Sequence, residues 1–361
     1  MKRFKMFPVV CLFFLGFHFP LAKSNEAASA AEVERLNVVY SSIAGASIST
    51  WGPKEAGIYR KYGLDVNLIY VAGSQAIATL ISGDAQIVQA SGAAAILSRL
   101  AGSEVKIVGA TINVIPMSLV TTPDINGPQD IKGKTFGVTR FGSLTHLGLQ
   151  KALSELGLDP AKDVKMIQTG GVPENLLFMQ QGIIKGALLS SPTLDKAKEL
   201  GYRELLNLAD IKLSSPTLDK AKELGYRELL NLADIKFRYP GTALVVTDSF
   251  IKNRPQTLNR FLKATLEGVK YAKTNQEFTI KLLGKYSRSS DTKLLASAFR
   301  TYVLGYIRDV PTITSNEVEA ALEEISARNP KAKGLDPKQF YDPTPMEQLA
   351  KEGFIKQLYP R

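Results

Sequence analysis

Cysteine and histidine are scarce in this sequence. Its 361 residues include one cysteine, Cys11, and two histidines, His18 and His146. These counts exclude a disulfide framework, a cysteine-ligated zinc site and most histidine-based catalysis, although they leave a carboxylate or lysine enzyme open. The sequence also has no G-x-S-x-G, H-E-x-x-H or G-x-G-x-x-G motif. We therefore expect neither a metal site nor a cofactor.

The first thirty residues read as a secretion signal. Three basic residues precede an apolar run from Met6 to Phe19, and small residues follow from Ala27 to Ala31. This order is typical of a signal peptide, with cleavage predicted after Ala30. The alternative is a membrane anchor, but the run is shorter than the roughly 20 residues that span a bilayer. We expect a soluble periplasmic protein.

The charge balance is mildly basic. The chain has 45 lysines and arginines against 34 aspartates and glutamates, a net charge of +11. Residues 1–30 carry four basic residues and one acidic residue, so the remainder has a net charge of +8. No dense basic stripe with interleaved aromatics is present, and we expect no nucleic-acid binding. A basic surface is compatible with an anionic ligand.

Apolar runs and polar helical patterns alternate along the chain. Short runs such as Leu36–Tyr40, Leu64–Val71 and Ala85–Ala90 predict strands, and the segments between them predict helices. Strand–helix–strand units of this length indicate parallel sheets covered by helices on both faces. A linker-like stretch, Pro123–Pro128, separates two such regions. Long helices are predicted from Pro255 onward. The fold class is therefore α/β, with two α/β lobes and a helical C-terminal region.

An internal repeat interrupts the second region. Leu189–Lys212 and Leu213–Lys236 are identical over 24 residues. Two unchanged copies indicate a recent duplication or a sequence-assembly error, because repeat architectures need three or more units. Each copy predicts one short helix, with Ser191 or Ser215 as its cap and a proline in its first turn. We expect one copy to occupy the native position and the other to bulge out.

Small polar residues follow several predicted strands, where helices begin. Open α/β sheets bind ligands at the carboxyl ends of their strands, and helix N-termini there attract anions. Each of these serines is equally compatible with a role as a helix cap alone, without binding a ligand. His146 is expected to hydrogen-bond or pack on a helix, and Trp51 either walls the site or packs in the core. The candidate ligand-binding residues are Ser41, Ser42, Gly73, Ser74, Ser91, Gly92, Arg140, Ser143 and Thr145.

Four segments resemble a known family. They are Trp51–Tyr59 with Tyr62–Val66, Ile131–Lys134 with Phe136–Val138, Phe250–Leu262, and Gly353–Ile355 with Leu358–Tyr359. They are similar to the substrate-binding proteins of ABC importers in the nitrate/taurine/aliphatic-sulfonate (SsuA-like) group, which also contains thiamine-pyrimidine synthases. The resemblance covers most of the chain after the signal, and it does not identify a ligand.

The resemblance implies a type II periplasmic-binding-protein fold. Lobe one would comprise residues 35–118 and 242–361, and lobe two residues 119–241. Crossing strands would lie near Leu119–Pro123 and Gly241–Val246, and Ser190 or Ser214 would join the ligand cleft.

The implied function is delivery of a small solute to the permease and ATPase subunits of an ABC importer, by a monomer. Closure of the two lobes about a hinge would trap the solute, which would be a sulfonate, nitrate, taurine or a pyrimidine-like molecule. Two alternatives are a synthase that consumes pyridoxal phosphate and histidine, and a ligand-sensing module. A secretion signal and a single remaining histidine, His146, suit the synthase poorly.

Overall fold

The computed structural model describes residues 33–210 and 238–360, which contain two five-stranded sheets. The first sheet has the order β2-β1-β3-β10-β4, in which β1 pairs parallel with β2 and β3. The last strand, β10, is antiparallel to both β3 and β4. Its strands are β1 (Glu34–Tyr40), β2 (Leu64–Tyr70), β3 (Ile87–Ala90), β4 (Val105–Ile112) and β10 (Thr242–Thr247).

The second sheet repeats this plan, with the order β7-β6-β8-β5-β9. Strand β6 is parallel to β7 and β8, whereas β5 is antiparallel to β8 and β9. Its strands are β5 (Ser118–Thr121), β6 (Lys134–Val138), β7 (Val164–Gln168), β8 (Gly186–Leu189) and β9 (Arg203–Asn207).

Helices cover both sheets. The central strands β3, β5 and β8 are buried at every position, which is typical of strands covered on both faces. The first sheet carries α1 (Ile48–Glu55), α2 (Ile58–Lys61), α3 (Gln75–Ile81) and α4 (Gly92–Leu100). The second carries α5 (Pro128–Ile131), α6 (Leu144–Glu155), α7 (Val172–Gln180) and α8 (Thr193–Glu199).

The C-terminal region is helical, as predicted. The longest helix of the described residues is Pro255–Thr274, and a buried stripe that includes Leu258, Leu262 and Leu266 packs it onto the first sheet. The helices are α9 (Asp248–Asn253), α10 (Pro255–Thr274), α11 (Gln276–Ser287), α12 (Thr292–Ala298), a π-helical segment (Phe299–Tyr306), α13 (Ser315–Ser326), α14 (Thr344–Lys351) and α15 (Phe354–Leu358). The predicted α/β class with two lobes is confirmed. Lobe one is hereafter the first sheet with α1–α4 and α9–α15, and lobe two is the second sheet with α5–α8.

Two linking segments join the lobes. The first is Asn113–Met117, between β4 and β5, and the second includes residues 238–241, ahead of β10. The two links touch, because the Tyr239 N–H donates to the Asn113 carbonyl at 2.9 Å. The resemblance implied crossings near Leu119–Pro123 and Gly241–Val246, and in the structure the links lie directly before β5, which begins at Ser118, and β10, which begins at Thr242. The links therefore precede both strands.

The first copy of the repeat lies in lobe two. Its residues end β8 and form α8 and the edge strand β9. The helix begins at Thr193, two residues after the predicted cap Ser191, and the second copy lies outside the described residues. Strand β9 was not predicted, because its sequence RELLN shows little apolar alternation and depends on pairing with β5.

The predicted signal segment, residues 1–30, also lies outside the described residues. Within the described ranges, no helix has the length and apolar character needed to cross a membrane.

Candidate functional site

A cavity of about 60 Å³ lies between the lobes, beside the linking segments. Lobe one supplies the end of β3 and residues that follow β1, β2 and β3, and lobe two supplies the turns after β6 and β8. The links contribute Pro116, Met117 and Gly241. Seven of the ten predicted ligand-binding residues line it: Ser41, Ser42, Gly73, Ser91, Ser143, Thr145 and Ser190. The carboxyl ends of strands in two separate sheets thus converge on one space, as α/β sheets permit.

The lining is polar without being charged. Among the described residues that line the cavity, none is Asp, Glu, Lys, Arg or His. Its polar groups are serine and threonine hydroxyls, the Gln89 amide and the Tyr302 hydroxyl. Burial raises the pKa of Tyr302 far above its ordinary value, so the phenol stays protonated. The cavity therefore offers neutral hydrogen-bond donors and acceptors.

Helix starts add a partial positive charge. Helix α4 begins directly after Ser91, and α6 begins after Ser143, whose side chain accepts the His146 N–H at 3.4 Å. A single 3₁₀ turn, Gly45–Ser47, leads into α1 beside the same cavity. Free backbone N–H groups at helix N-termini favour anions and polar acceptors.

Ser91 is the side chain in the lining that most clearly lacks a partner. It is 7% exposed, and its Oγ has no hydrogen-bond partner among the described residues. Its side chain also does not cap α4. Since leaving a buried hydroxyl unpaired costs free energy, this group is suited to bind a solute.

Three hydroxyls of lobe two, those of Thr139, Ser143 and Thr145, are instead bonded to one another, whereas Ser190 Oγ, like Ser91 Oγ, has no hydrogen-bond partner among the described residues. Thr139 Oγ1 lies 2.9 Å from Ser143 Oγ and 2.9 Å from Thr145 Oγ1, and Ser143 Oγ donates to the Arg140 carbonyl at 2.7 Å. Hydroxyls hold both donor and acceptor capacity, so this trio can rearrange toward a solute while it remains paired.

Two lining groups that sequence reasoning missed organise the walls. The buried Gln89 Nε2 donates to Ser49 Oγ at 2.5 Å and to the Ala46 carbonyl at 3.3 Å, which holds the Gly45–Ser47 turn in place. Tyr302, from the C-terminal region, donates its hydroxyl to the Pro116 carbonyl at 2.5 Å, beside Ser190. Gln89 could have been found from the sequence, because it is a polar residue within the apolar run Ile87–Ala90. No local sequence pattern indicates that Tyr302 lies at this cavity.

Three predicted residues lie outside the lining. Ser74 Oγ donates across the lobes to the Phe141 carbonyl at 2.9 Å, and the Gly92 N–H donates to the Pro240 carbonyl at 2.8 Å. The Arg140 side chain packs against Gly73 rather than facing the cavity. Its Nε is buried without a hydrogen-bond partner among the described residues, and its pairing with an acidic group of the solute stays a prediction.

Trp51 and His146, whose roles the sequence left open, both have structural roles. Trp51 is fully buried, stacked on Tyr286 with ring centroids 4.3 Å apart, and edge-on to Tyr40. His146 accepts the Gly142 N–H at Nδ1 (3.1 Å) and packs edge-on against Phe141. Burial, with a smaller contribution from the positive charge of Arg328, lowers the pKa of His146. Among the described residues, no group of three or more His, Cys, Asp or Glu side chains could hold a metal ion.

Comparison with known proteins agrees with this geometry. A family model described as NMT1/THI5-like matches residues 53–278, more than half of the chain. No curated protein matches the sequence significantly.

Solved structures match over nearly the whole chain. A protein of Bordetella bronchiseptica superposes with a TM-score of 0.73 at 17% identity, covering 91% of this chain and 99% of its own. The alkanesulfonate-binding protein SsuA from Xanthomonas axonopodis pv. citri, bound to MOPS, gives 0.64 at 15% identity, with coverage of 88% and 99%. The periplasmic nitrate-binding protein NrtA from Synechocystis PCC 6803 gives 0.66 at 13% identity, with coverage of 89% for both chains. At these identities the likeness establishes a shared fold.

Proposed function

From the premise that the chain belongs to the NMT1/THI5-like family, we propose that it is an exported solute-binding protein. It holds a small polar or anionic solute between its lobes and delivers it to the permease and ATPase subunits of an ABC importer. Structural neighbours described as a periplasmic nitrate-binding protein and an alkanesulfonate-binding protein support a periplasmic location and a solute of this type.

The observation that carries the proposal is the uncharged, hydroxyl-lined cavity with the unpaired Ser91 Oγ at its wall. Donors from hydroxyls and helix N-termini suit the oxygen atoms of nitrate, of a sulfonate or of taurine. A water needs about 10–15 Å³ of such space, so a cavity of about 60 Å³ holds a polar group of a few heavy atoms. The compact anions therefore fit this arrangement better than a pyrimidine ring does.

The solute is captured because hydrogen-bond donors lie on both lobes. Ser91 belongs to lobe one, and Ser143 and Ser190 belong to lobe two, so a solute contacts all three only when the lobes are together. Binding energy gained only in that arrangement shifts the population toward it. Rotation about the links 113–117 and 238–241 is the corresponding hinge motion.

A binding role is favoured over catalysis by the same lining. The ionisable side chain among the described lining residues is Tyr302, and it is held protonated and bonded to Pro116. Acid–base catalysis needs a group that exchanges protons near neutral pH. None of the described lining side chains provides one.

A thermal-shift screen with a matched pair of serine variants tests the proposal. Nitrate, taurine, short alkanesulfonates and pyrimidines are added to the protein, and a solute at 100 times its Kd should raise the unfolding free energy by about 2.7 kcal/mol. For a charged solute that binds, Ser91→Ala should weaken binding by about 1.5–3 kcal/mol. The unfolding free energy of the unliganded protein should change little.

The control is Ser98→Ala on the same helix, since Ser98 Oγ bonds to Ser103 Oγ and does not line the cavity. Equal affinities in the two variants would remove Ser91 from the binding site. Failure of every solute class to stabilise the protein would count against the proposed function.

A further inference from the structure

The lobes also touch outside the cavity, at the turn before α3. Ser74 Oγ, on lobe one, donates to the Phe141 carbonyl of lobe two at 2.9 Å. Neither residue lines the cavity, although their neighbours Gly73 and Ser143 do. A narrower continuation of the cavity, about 20 Å³, is lined by Tyr70, Gly73 and Gly170 and by none of the link residues. The contact therefore lies next to Gly73, which lines both the cavity and this continuation.

The loop that carries the acceptor is fixed within lobe two. The Phe141 N–H donates to Gln168 Oε1 at 2.9 Å, and the Gly142 N–H donates to His146 Nδ1 at 3.1 Å. Ser143 Oγ closes the turn onto the Arg140 carbonyl. Because the loop Arg140–Ser143 has its own hydrogen bonds, the Phe141 carbonyl is already in place when lobe one approaches.

The donor has no competing role in its own lobe. Ser74 precedes α3, but its side chain caps no N–H of that helix. Its one side-chain hydrogen bond among the described residues crosses to lobe two. The neighbouring Gly73 packs directly under the same loop, since a methyl group on it would lie 3.0 Å from Arg140 Cγ.

We infer that Ser74 is a positioning residue whose bond to the Phe141 carbonyl latches the two lobes together without contacting the solute. The inference rests on the proposed function, because it concerns the closure by which the solute is held. The latch raises the closed population of the unliganded protein and so strengthens the binding of every solute by the same factor.

Other polar contacts between the lobes lie elsewhere. Arg328 donates to Ser154 Oγ at 3.3 Å, in the region of α13, where Glu324 lies close to the link residue Tyr239. Ser297 donates to Asp195 at 3.3 Å. An ion pair between Lys151 and Glu324 also joins the lobes, at 3.9 Å. The Ser74 contact is shorter than these three, and its acceptor is a backbone carbonyl. Loss of one neutral hydrogen bond of this kind changes an equilibrium by about two- to tenfold.

The first test measures lobe separation without any solute. Spin labels are placed on cysteines that replace two exposed residues, Lys281 of lobe one and Leu177 of lobe two, in full-length chain carrying Cys11→Ser. Ser74→Ala should move the distance distribution toward larger separations, with a closed-to-open ratio lower by about two- to tenfold. Ser74→Thr keeps the hydroxyl and should restore the original distribution.

The matched control is Ser82→Ala at the far end of α3, because Ser82 Oγ bonds within lobe one, to Asp84. Identical distributions for Ser74→Ala and Ser82→Ala would overturn the latch. So would a Ser74→Thr variant that opens as far as Ser74→Ala.

The second test uses nitrate, taurine and methanesulfonate as probes. Ser74→Ala should weaken each one that binds by the same factor, as a change in closure alone requires. Unequal factors would show that Ser74 contacts the solute and would overturn the inference. If none of the probes binds, the proposed function fails, whereas the separation measured without solute still decides whether Ser74 holds the lobes together.

Discussion

Replacing Gly73 by alanine should hold the lobes apart, and Gly83 provides the matched control. Both glycines have positive φ, +63° and +81°, so alanine bears a similar backbone penalty at each, about 1–2 kcal/mol. They differ in their surroundings. A methyl group on Gly83 meets no atom within 4 Å, whereas one on Gly73 lies 3.0 Å from Arg140 Cγ and 3.3 Å from Ser143 Cβ.

The difference between the two variants isolates the crowding between lobes. Contacts at 3.0–3.3 Å are closer than the 3.5–4.0 Å optimum for carbon atoms. Overpacking of this kind costs about 1–3 kcal/mol. Arg140 and Ser143 belong to lobe two, so the cost arises only when the lobes are together. It corresponds to a 5- to 150-fold lower closed-to-open ratio.

Denaturant unfolding and solute affinity separate the two contributions. Gly73→Ala and Gly83→Ala should lose similar unfolding free energy, because the left-handed conformation is common to both. Only Gly73→Ala should also lose affinity and show a larger lobe separation. If the two variants bind solute equally well and have the same separation, the packing of loop Arg140–Ser143 on Gly73 does not govern closure, and the reasoning is refuted.

Two further predictions concern His146 and the repeat. The neutral imidazole of His146 accepts the Gly142 N–H and its pKa is lowered, so its stabilisation is complete above the ordinary pKa of 6.5 and is lost as pH falls through the lowered value. Melting temperatures from pH 7 to pH 5 should therefore drop more for the natural chain than for His146→Gln; parallel curves would contradict this. Deleting Leu213–Lys236 should preserve circular dichroism and melting temperature, because the first copy already supplies α8 and β9. A chain that no longer folds would show the second copy to be structural.

The sequence predicted the elements whose signals are local. The predicted strands Leu36–Tyr40, Leu64–Val71 and Ala85–Ala90 correspond to β1, β2 and β3, and the long helices begin at Pro255, as predicted. Buried apolar runs and a proline at a helix start determine these segments without help from distant residues. The helical segment predicted between the strands Leu36–Tyr40 and Leu64–Val71 contains two α-helices, because Gly57 takes the left-handed conformation and ends the first.

The candidate site was only partly predictable, because its walls come from distant parts of the chain. Placing small polar residues at strand ends is enough to bring Ser41, Ser91 and Ser143 to one cavity. It cannot show that Ser74 bonds to Phe141, or that Tyr302 reaches the link from the C-terminal region. Those contacts depend on how the lobes pack, and no local pattern encodes that packing.

The single tryptophan has a consequence for optical measurements. Trp51 lies inside lobe one, stacked on Tyr286, and does not line the cavity. Its emission therefore reports the melting of that aromatic cluster and is a poor indicator of cavity occupancy. A fluorescence titration without a change in emission would leave the affinity for a solute undetermined. A thermal melt detected by tryptophan emission would report the unfolding of lobe one and not that of lobe two, which contains no tryptophan.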